Sequence, residues 1–135
     1  MVDLVRFLAG RWTVERTLRW GDETGDFTGT AEFRPDGDGL VWDEEGRLRW
    51  QRYDGRARRR LLVVPAGDGW EVRFDDGRPF HPLDLRTGAA SAVHPCGEDR
   101  YEGDYRVVGD DELHVRWRVL GPAKDQDIRS RYRRA

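Results

Sequence analysis

The stretch Phe7-Leu8-Ala9-Gly10-Arg11-Trp12, with the alternating run that continues from it to Trp20, decides the fold of this chain. Side chains alternate between the two faces of an extended strand, so an apolar residue at every second position predicts a strand with one buried face. Arg16 lies in that otherwise apolar row. Because a buried guanidinium needs a partner or a polar cavity, the row indicates a barrel or sandwich with a polar spot inside. The row comprises Trp12, Val14, Arg16, Leu18 and Trp20.

The same alternation recurs to the end of the chain, interrupted by turns rich in glycine and aspartate. Examples are Gly21–Gly25, Pro35–Gly39 and Gly109–Asp111, and these residue types supply the positive φ angles and local hydrogen bonds that hairpins require. The segment from Val2 to Leu8 predicts a short helical or irregular lid. We therefore predict an all-β fold, an antiparallel up-and-down β-barrel of about eight to ten strands with a short N-terminal helical plug.

Composition restricts the class of protein further. The 135 residues show no break in composition, which predicts a single domain over residues 1–135. The net charge of −2 gives no electrostatic reason to expect nucleic acid or an anionic membrane as a partner. No apolar run approaches the roughly 20 residues of a membrane helix, and the N-terminus lacks a signal-peptide core. We expect a cytoplasmic protein with no membrane partner, and the question of a homodimer stays open.

Gly10-x-Trp12, at the start of the first strand and after the short plug, resembles the opening motif of the calycins. These include lipocalins, fatty-acid-binding proteins and the nitrobindin-like haem barrels. The resemblance implies a barrel that holds one small ligand and an arginine of the last strand packed over the tryptophan. Guanidinium on an indole face gains cation–π energy while it donates to the carbonyls at the barrel end. The candidates for this arginine are Arg129, Arg131 and Arg133.

Four further motifs cover the chain from end to end. They are Phe7-Leu8-x-Gly10-x-Trp12-x-x-x-Arg16, Gly77-Arg78-Pro79-Phe80-His81-x-Leu83-Asp84-Leu85, His94-x-Cys96-x-x-Asp99-x-Tyr101-x-Gly103 and Gly121-Pro122-x-Lys124-Asp125. In these motifs the chain is similar to the DUF6314 family, a group of short bacterial proteins. The resemblance supports the fold more than any activity, because the family's name records that no activity is assigned.

Polar side chains in phase with the apolar rows are the candidates for ligand contacts. If their strands face inward, Arg16 and Glu44 either pair with each other or leave an arginine free. Arg16 or Arg52, with a tyrosine hydroxyl, would then hold a carboxylate or enolate through charge-assisted hydrogen bonds. Such an arginine–tyrosine pair is also implied by the resemblance to fatty-acid-binding proteins. The candidate ligand-binding residues are Arg16, Trp42, Glu44, Arg52, His81, His94, Tyr101, Tyr105, Trp117 and Tyr132.

Three classes of function remain open at this stage. The first is a small-molecule binding barrel for a mainly apolar ligand with an anionic or polar end. The second is an enzyme of isomerase or cyclase type, which would show a carboxylate of raised pKa deep in the pocket. The third is a protein-interaction module with a packed interior and an exposed apolar patch. We assign no catalytic residues.

Histidine and cysteine chemistry offers two alternatives to these. His81 and His94, on neighbouring strands, could ligate haem, or they could simply be hydrogen-bonded inside a polar turn. His94 could lower the pKa of the Cys96 thiol to make a nucleophile, but Cys96 serves equally as a small apolar residue. A lone cysteine excludes a disulfide framework and a cysteine-based zinc site. We predict no metal site, and haem is the one cofactor left open.

Overall fold

A computed structural model describes residues 1–135, which form one short helix and ten strands. Helix α1 spans Leu4–Leu8, and its N-cap Asp3 accepts a hydrogen bond from the backbone N–H of Arg6. No helix is both long and apolar enough to cross a membrane. The strands are β1 Gly10–Trp20, β2 Glu23–Asp36, β3 Gly39–Trp50, β4 Tyr53–Ala66, β5 Gly69–Phe74, β6 Pro79–Leu83, β7 Ala89–Cys96, β8 Asp99–Gly109, β9 Glu112–Gly121 and β10 Lys124–Arg134.

All ten strands lie in one antiparallel sheet, in the order β6-β5-β4-β3-β2-β1-β10-β9-β8-β7. Pairing of β1 with β10 brings the first and last strands together. The two sheet edges, β6 and β7, lie next to each other without forming a hydrogen-bonded ladder. The predicted up-and-down barrel with an N-terminal helix is confirmed, and it is nearly closed: one seam, between β6 and β7, is bridged by side chains.

Helix α1 lies across one end of the barrel, which we call the packed end. Leu8 is buried there, and its carbonyl accepts a hydrogen bond of 2.8 Å from Nε1 of Trp12, which is itself fully buried. The guanidinium of Arg134 stacks over the Trp12 ring at 4.2 Å from the centroid. Arg134 also donates to the carbonyl oxygens of Phe7 at 2.8 Å and Ala9 at 3.3 Å. The arginine therefore joins the last strand to the plug.

The predicted arginine over tryptophan exists, but the three candidates for it were wrong. Arg134 occupies the position because even-numbered residues of β10 share the inner face with Tyr132. The odd-numbered arginines pair with other carboxylates: Arg131 with Glu15 on β1, Arg133 with Glu112 on β9, and Arg129 with Asp127 on β10 itself. The incorrect candidates were Arg129, Arg131 and Arg133.

Burial along β1 falls from one end of the barrel to the other. Trp12 and Val14 are fully buried, Leu18 is half-buried and Trp20 is 40% exposed. The same gradient holds on β3, where Trp42 is buried and Trp50 is half-buried. The barrel therefore has a packed end beneath α1 and an opposite end, the open end, at which inward-facing apolar side chains remain accessible.

Two glycines lie opposite each other where β2 and β3 pair. Gly29 pairs with Gly46 in the register. A Cβ atom added to Gly29 would lie 2.1 Å from the carbonyl oxygen of Glu45, and one added to Gly46 would lie 2.2 Å from that of Thr28. The two backbones leave no room for a side chain, so this pairing requires glycine at both positions.

We expect Gly29→Ala to destabilise the barrel by about 1–3 kcal/mol or more, because the new methyl group meets backbone that cannot move without opening the sheet. Chemical denaturation measures this free energy of unfolding. Gly69→Ala is the matched control, since a Cβ at Gly69 meets nothing within 4 Å. That control should be neutral or slightly stabilising. Equal effects of the two substitutions would contradict the proposed crowding.

Candidate functional site

A cluster of polar side chains crosses the barrel above the packed end. We call it the polar cluster: Arg16, Glu44, Arg59, Ser130 and Tyr132. The strand register brings these residues together, because Arg16 pairs with Ser130 across β1 and β10, and Glu44 pairs with Arg59 across β3 and β4. Each of them shares the inward phase of the apolar residues around it.

Glu44 is the centre of the polar cluster, and its side chain is 1% exposed. Its Oε1 accepts from Nη2 of Arg16 at 2.8 Å and from Nε of Arg59 at 3.0 Å. Its Oε2 accepts from Nε1 of Trp42 at 2.9 Å and from the Tyr132 hydroxyl. Burial opposes ionisation, but the charges of Arg59 and Arg16 outweigh it and lower the pKa of Glu44 to about 2. The carboxylate is therefore ionised at neutral pH.

Arg16 is held at three points. Its Nε donates to Ser130 Oγ at 2.6 Å, and its Nη2 donates to Glu44 and, at 2.9 Å, to the Tyr132 hydroxyl. The ring of Phe27 lies 5.1 Å from the guanidinium carbon. Of the two arrangements that the sequence left open for Arg16 and Glu44, the structure therefore shows the ion pair.

Arg59 leaves most of its hydrogen-bond donors unused. It donates to Glu44 only through Nε, and its two terminal nitrogens form no hydrogen bond with the protein. Its side chain is 44% exposed. Burial works against its charge, but Glu44 raises the pKa of Arg59 above the ordinary value, so it is always a cation. On β4 its neighbours in the same phase toward the open end are the small residues Ala57 and Gly55, and the Tyr53 ring lies against Gly55.

The polar cluster carries an uncompensated positive charge, because two arginines share one carboxylate. The hydroxyls nearby add no negative charge, since burial raises the pKa of both Tyr105 and Tyr132. A net cation with free N–H groups is an arrangement that binds an anion.

His81 and Tyr105 form a second buried pair beside the polar cluster. The Nδ1 of His81 lies 2.8 Å from the carbonyl oxygen of Pro82, which can only accept, so Nδ1 carries the proton. The Tyr105 hydroxyl therefore donates to Nε2 of His81, at 3.2 Å. Burial lowers the pKa of His81, so its neutral form is favoured.

Aromatic rings fill the seam between β6 and β7. Phe74 stacks on Phe80 at 4.6 Å, and Phe80 stacks on Trp117 at 5.0 Å. His94 meets Phe80 edge-on at 5.3 Å and Tyr101 at 6.0 Å. Side-chain stacking thus replaces the missing ladder at this point of the barrel.

The structure brings most of the predicted site residues together. Three groups form: Arg16, Trp42, Glu44 and Tyr132 in and beside the polar cluster; His81, Tyr105 and Trp117 next to it; and His94 with Tyr101 at the seam. Arg52 belongs to none of them. It is exposed in the turn between β3 and β4, because the chain leaves the strand after Trp50 and alternation no longer applies.

Arg59 is the residue that sequence reasoning missed. It lies in the basic run Arg56-Ala57-Arg58-Arg59-Arg60, in which charge hides the alternation. The signal lies downstream: Leu61 and Val63 are buried, and Arg59 is in phase with them. Extending the alternation upstream from Leu61 and Val63 assigns Arg59 to the inward face.

The contacts of His81, His94 and Cys96 support neither the haem alternative nor the thiol alternative. His81 is a poor axial ligand, because it is buried and both ring nitrogens are hydrogen-bonded. No three His, Cys, Asp or Glu side chains converge as metal ligands would. Cys96 is exposed at the β7–β8 turn, and no hydrogen bond joins it to His94. These residues act as aromatic and surface side chains in this structure.

Charged grooves on the barrel wall contain several ion pairs. One groove of about 820 Å³ crosses β1 to β4. Its Asp43 accepts from Arg60 at 2.6 Å and from Arg34 at 3.1 Å, and Arg11 pairs with Glu32 at 3.1 Å. Exposed pairs of this kind contribute little to stability. Arg59 and Glu44 of the polar cluster also line this groove.

Comparison with known proteins agrees with this architecture. The model of a family described as a family of unknown function, DUF6314, matches residues 8–134. An S-type phycobiliprotein lyase of Guillardia theta superposes with a TM-score of 0.76 at 9% identity, covering 98% of this chain and 90% of the lyase. A DUF3598 protein of unknown function from Nostoc punctiforme superposes at 0.68 with 11% identity, over 97% of this chain and 49% of that one.

A de novo designed fluorescence-activating β-barrel also superposes, with a TM-score of 0.55, 19% identity and full coverage of both chains. No curated protein matches the sequence. At these identities the structural matches establish the barrel fold and nothing about the contents of the lumen.

Proposed function

The chain belongs to DUF6314, a family of unknown function, and from the geometry of its lumen we propose that it is a small-molecule binding barrel. The ligand is mainly apolar and carries one anionic group, which Arg59 holds. A designed fluorescence-activating barrel and a phycobiliprotein lyase share this fold, which is consistent with a chamber for a small molecule.

The uncompensated charge at Arg59 is the observation that carries the proposal. Arg16 is already bound to Ser130, Glu44 and Tyr132, whereas neither terminal nitrogen of Arg59 forms a hydrogen bond with the protein and its side chain is 44% exposed. A carboxylate that accepts two N–H groups from this guanidinium would neutralise the lumen and satisfy the donors. Glu44 fixes the guanidinium by binding its Nε, so the free edge is already oriented.

The walls above Arg59 suit an apolar body. Inward-facing side chains toward the open end are half-buried and almost all apolar, and every Å² that a ligand covers contributes about 25 cal/mol. Ala57 on β4 is small, and larger residues on other strands provide contact. The apolar inward positions are Leu18, Leu48, Trp50, Ala57, Trp117 and Ile128.

Binding is favoured over acid–base catalysis by the state of the buried groups. An isomerase-type site would need a carboxyl group of raised pKa, but the pKa of Glu44 is lowered to about 2. The pKa of Tyr132 is raised because the hydroxyl is buried beside Glu44. Neither group exchanges a proton at neutral pH, so the polar cluster is suited to hold charge in place.

Arg59→Met tests the proposal. We expect it to weaken binding of dodecanoate or 2-naphthylacetate by about 10- to 100-fold, the value of a hydrogen bond to a charged group, with little effect on the matching alcohols. Isothermal titration calorimetry measures both. Arg58→Met is the matched control, because Arg58 is the adjacent arginine on the exposed outer face. Equal affinities in the two variants, or no binding of either carboxylate by the unmodified protein at 1 mM (about the weakest affinity worth counting), would contradict the proposal.

A further inference from the structure

Two tryptophan side chains lie flat on the inner wall because glycines stand on the neighbouring strands. A Cβ atom on Gly25 would lie 2.5 Å from Cε3 of Trp50, and one on Gly103 would lie 2.5–2.7 Å from the six-membered ring of Trp117. Gly103 pairs directly with Trp117 in the register. Any other residue would push these rings away from the wall, so both glycines determine how the indoles are oriented.

The two flat indoles belong to opposite regions of the barrel. Trp50 ends β3 and Trp117 lies on β9, with β2, β1 and β10 between them in the sheet. Each is part of a set of parallel rings. Trp20 lies parallel to Trp50, with 12° between the planes and 6.4 Å between centroids, and Phe80 lies parallel to Trp117 within 19°. Trp117 is enclosed between Gly103 and Phe80. The half-buried ring of Trp50 and the 40% exposed ring of Trp20 remain accessible toward the open end.

These rings lie between the polar cluster and the open end. Trp117 pairs with Ile128, one inward position above Ser130 of the polar cluster. Trp20 is the next inward position after Leu18. It lies four residues of strand beyond Arg16, which corresponds to about 13 Å. A carboxylate held by Arg59 would thus place the body of the ligand alongside the indoles.

We infer that the ligand is a flat, aromatic or conjugated carboxylate and not a saturated fatty acid; this inference rests on the proposed function. Ring faces held flat by glycine lose no conformational freedom on binding and prefer offset stacking with another ring. A saturated chain would gain only the area that it buries. The geometry therefore favours a planar body over a flexible one of equal size.

Two carboxylates with the same number of carbon atoms, 2-naphthylacetate and dodecanoate, separate the alternatives. Dodecanoate has more apolar surface, so burial alone would make it the tighter ligand. Stacking on the indoles reverses that order, and we expect 2-naphthylacetate to bind at least about tenfold more tightly. Calorimetric titration of the full chain gives both dissociation constants.

Trp50→Leu should weaken binding of 2-naphthylacetate more than binding of dodecanoate and so remove most of the preference. Trp20→Leu, at a position that is 40% exposed, provides the same comparison if Trp50→Leu does not fold. If dodecanoate binds as tightly as 2-naphthylacetate, or if both tryptophan variants retain the preference, the inference is overturned and the binding function stands. If the unmodified protein binds neither, the binding function fails with it.

Discussion

Replacing Glu44 with glutamine is expected to destabilise the barrel by about 3–5 kcal/mol, the usual effect of removing one partner from a buried ion pair. Glu44 accepts hydrogen bonds from Arg16, Arg59, Trp42 and Tyr132. An amide would direct two N–H groups at these donors and would leave two guanidinium charges without a counter-charge. Denaturant titration followed by tryptophan fluorescence measures the loss.

The adjacent carboxylate provides a matched control for Glu44. Asp43 also pairs with two arginines, Arg34 and Arg60, but it lies on the outer face and its side chain is 29% exposed. Asp43→Asn should cost about 0–1 kcal/mol, because water screens exposed pairs. A loss at Glu44 no larger than the loss at Asp43 would show that the polar cluster does not stabilise the fold.

Glu44 also makes the stability of the barrel depend on pH. The pKa of Glu44 is lowered from 4.5 to about 2, so its stabilisation is complete above pH 4.5 and is lost as the pH falls toward 2. A shift of that size corresponds to about 3 kcal/mol. Glu44→Gln should lose less stability over this range than the unmodified protein, and parallel curves for the two would contradict the assignment.

Alternation along the strands predicted the fold, and it predicted most of the site for the same reason. A period of two assigns each residue to a face, so the positions of Arg16 and Glu44 followed from their apolar neighbours. The method failed where charge or chain geometry hides the period. Arg59 stands in a basic run, and Arg52 lies in a turn where no face exists.

Contacts between distant strands could not be predicted from the same pattern. Alternation predicts which face a side chain lies on, but it does not predict which other side chain it contacts. That contact depends on the register of strands that are far apart in sequence. Glu44 and Tyr132 meet although β2 and β1 lie between their strands in the sheet. The use of Arg134 at the packed end likewise depends on where β10 ends relative to β1.

The inward-facing side chains of β1 contribute to both the core and the open end of the barrel. At the packed end the strand buries Trp12 beneath α1, and at mid-barrel it supplies Arg16 to the polar cluster. At the open end it presents the accessible ring of Trp20. Stability and ligand contact should therefore separate along a single strand, and two tryptophans at its ends allow that to be measured.

Trp12→Ala is expected to destabilise the barrel by about 3–5 kcal/mol, because it removes a fully buried indole and leaves a cavity. It also leaves the Leu8 carbonyl without the N–H that reaches it at 2.8 Å and removes the ring beneath Arg134. Thermal and denaturant unfolding measure the effect.

Trp20→Ala is the matched control for Trp12→Ala, since Trp20 has the same side chain, strand and face but is 40% exposed. It should cost less than about 1 kcal/mol and should instead weaken binding of 2-naphthylacetate. If Trp20→Ala destabilises the barrel as much as Trp12→Ala does, the open end is part of the core. The lumen would then be filled by its own side chains, and both stacking and the anchoring of an anion at Arg59 would lose their basis.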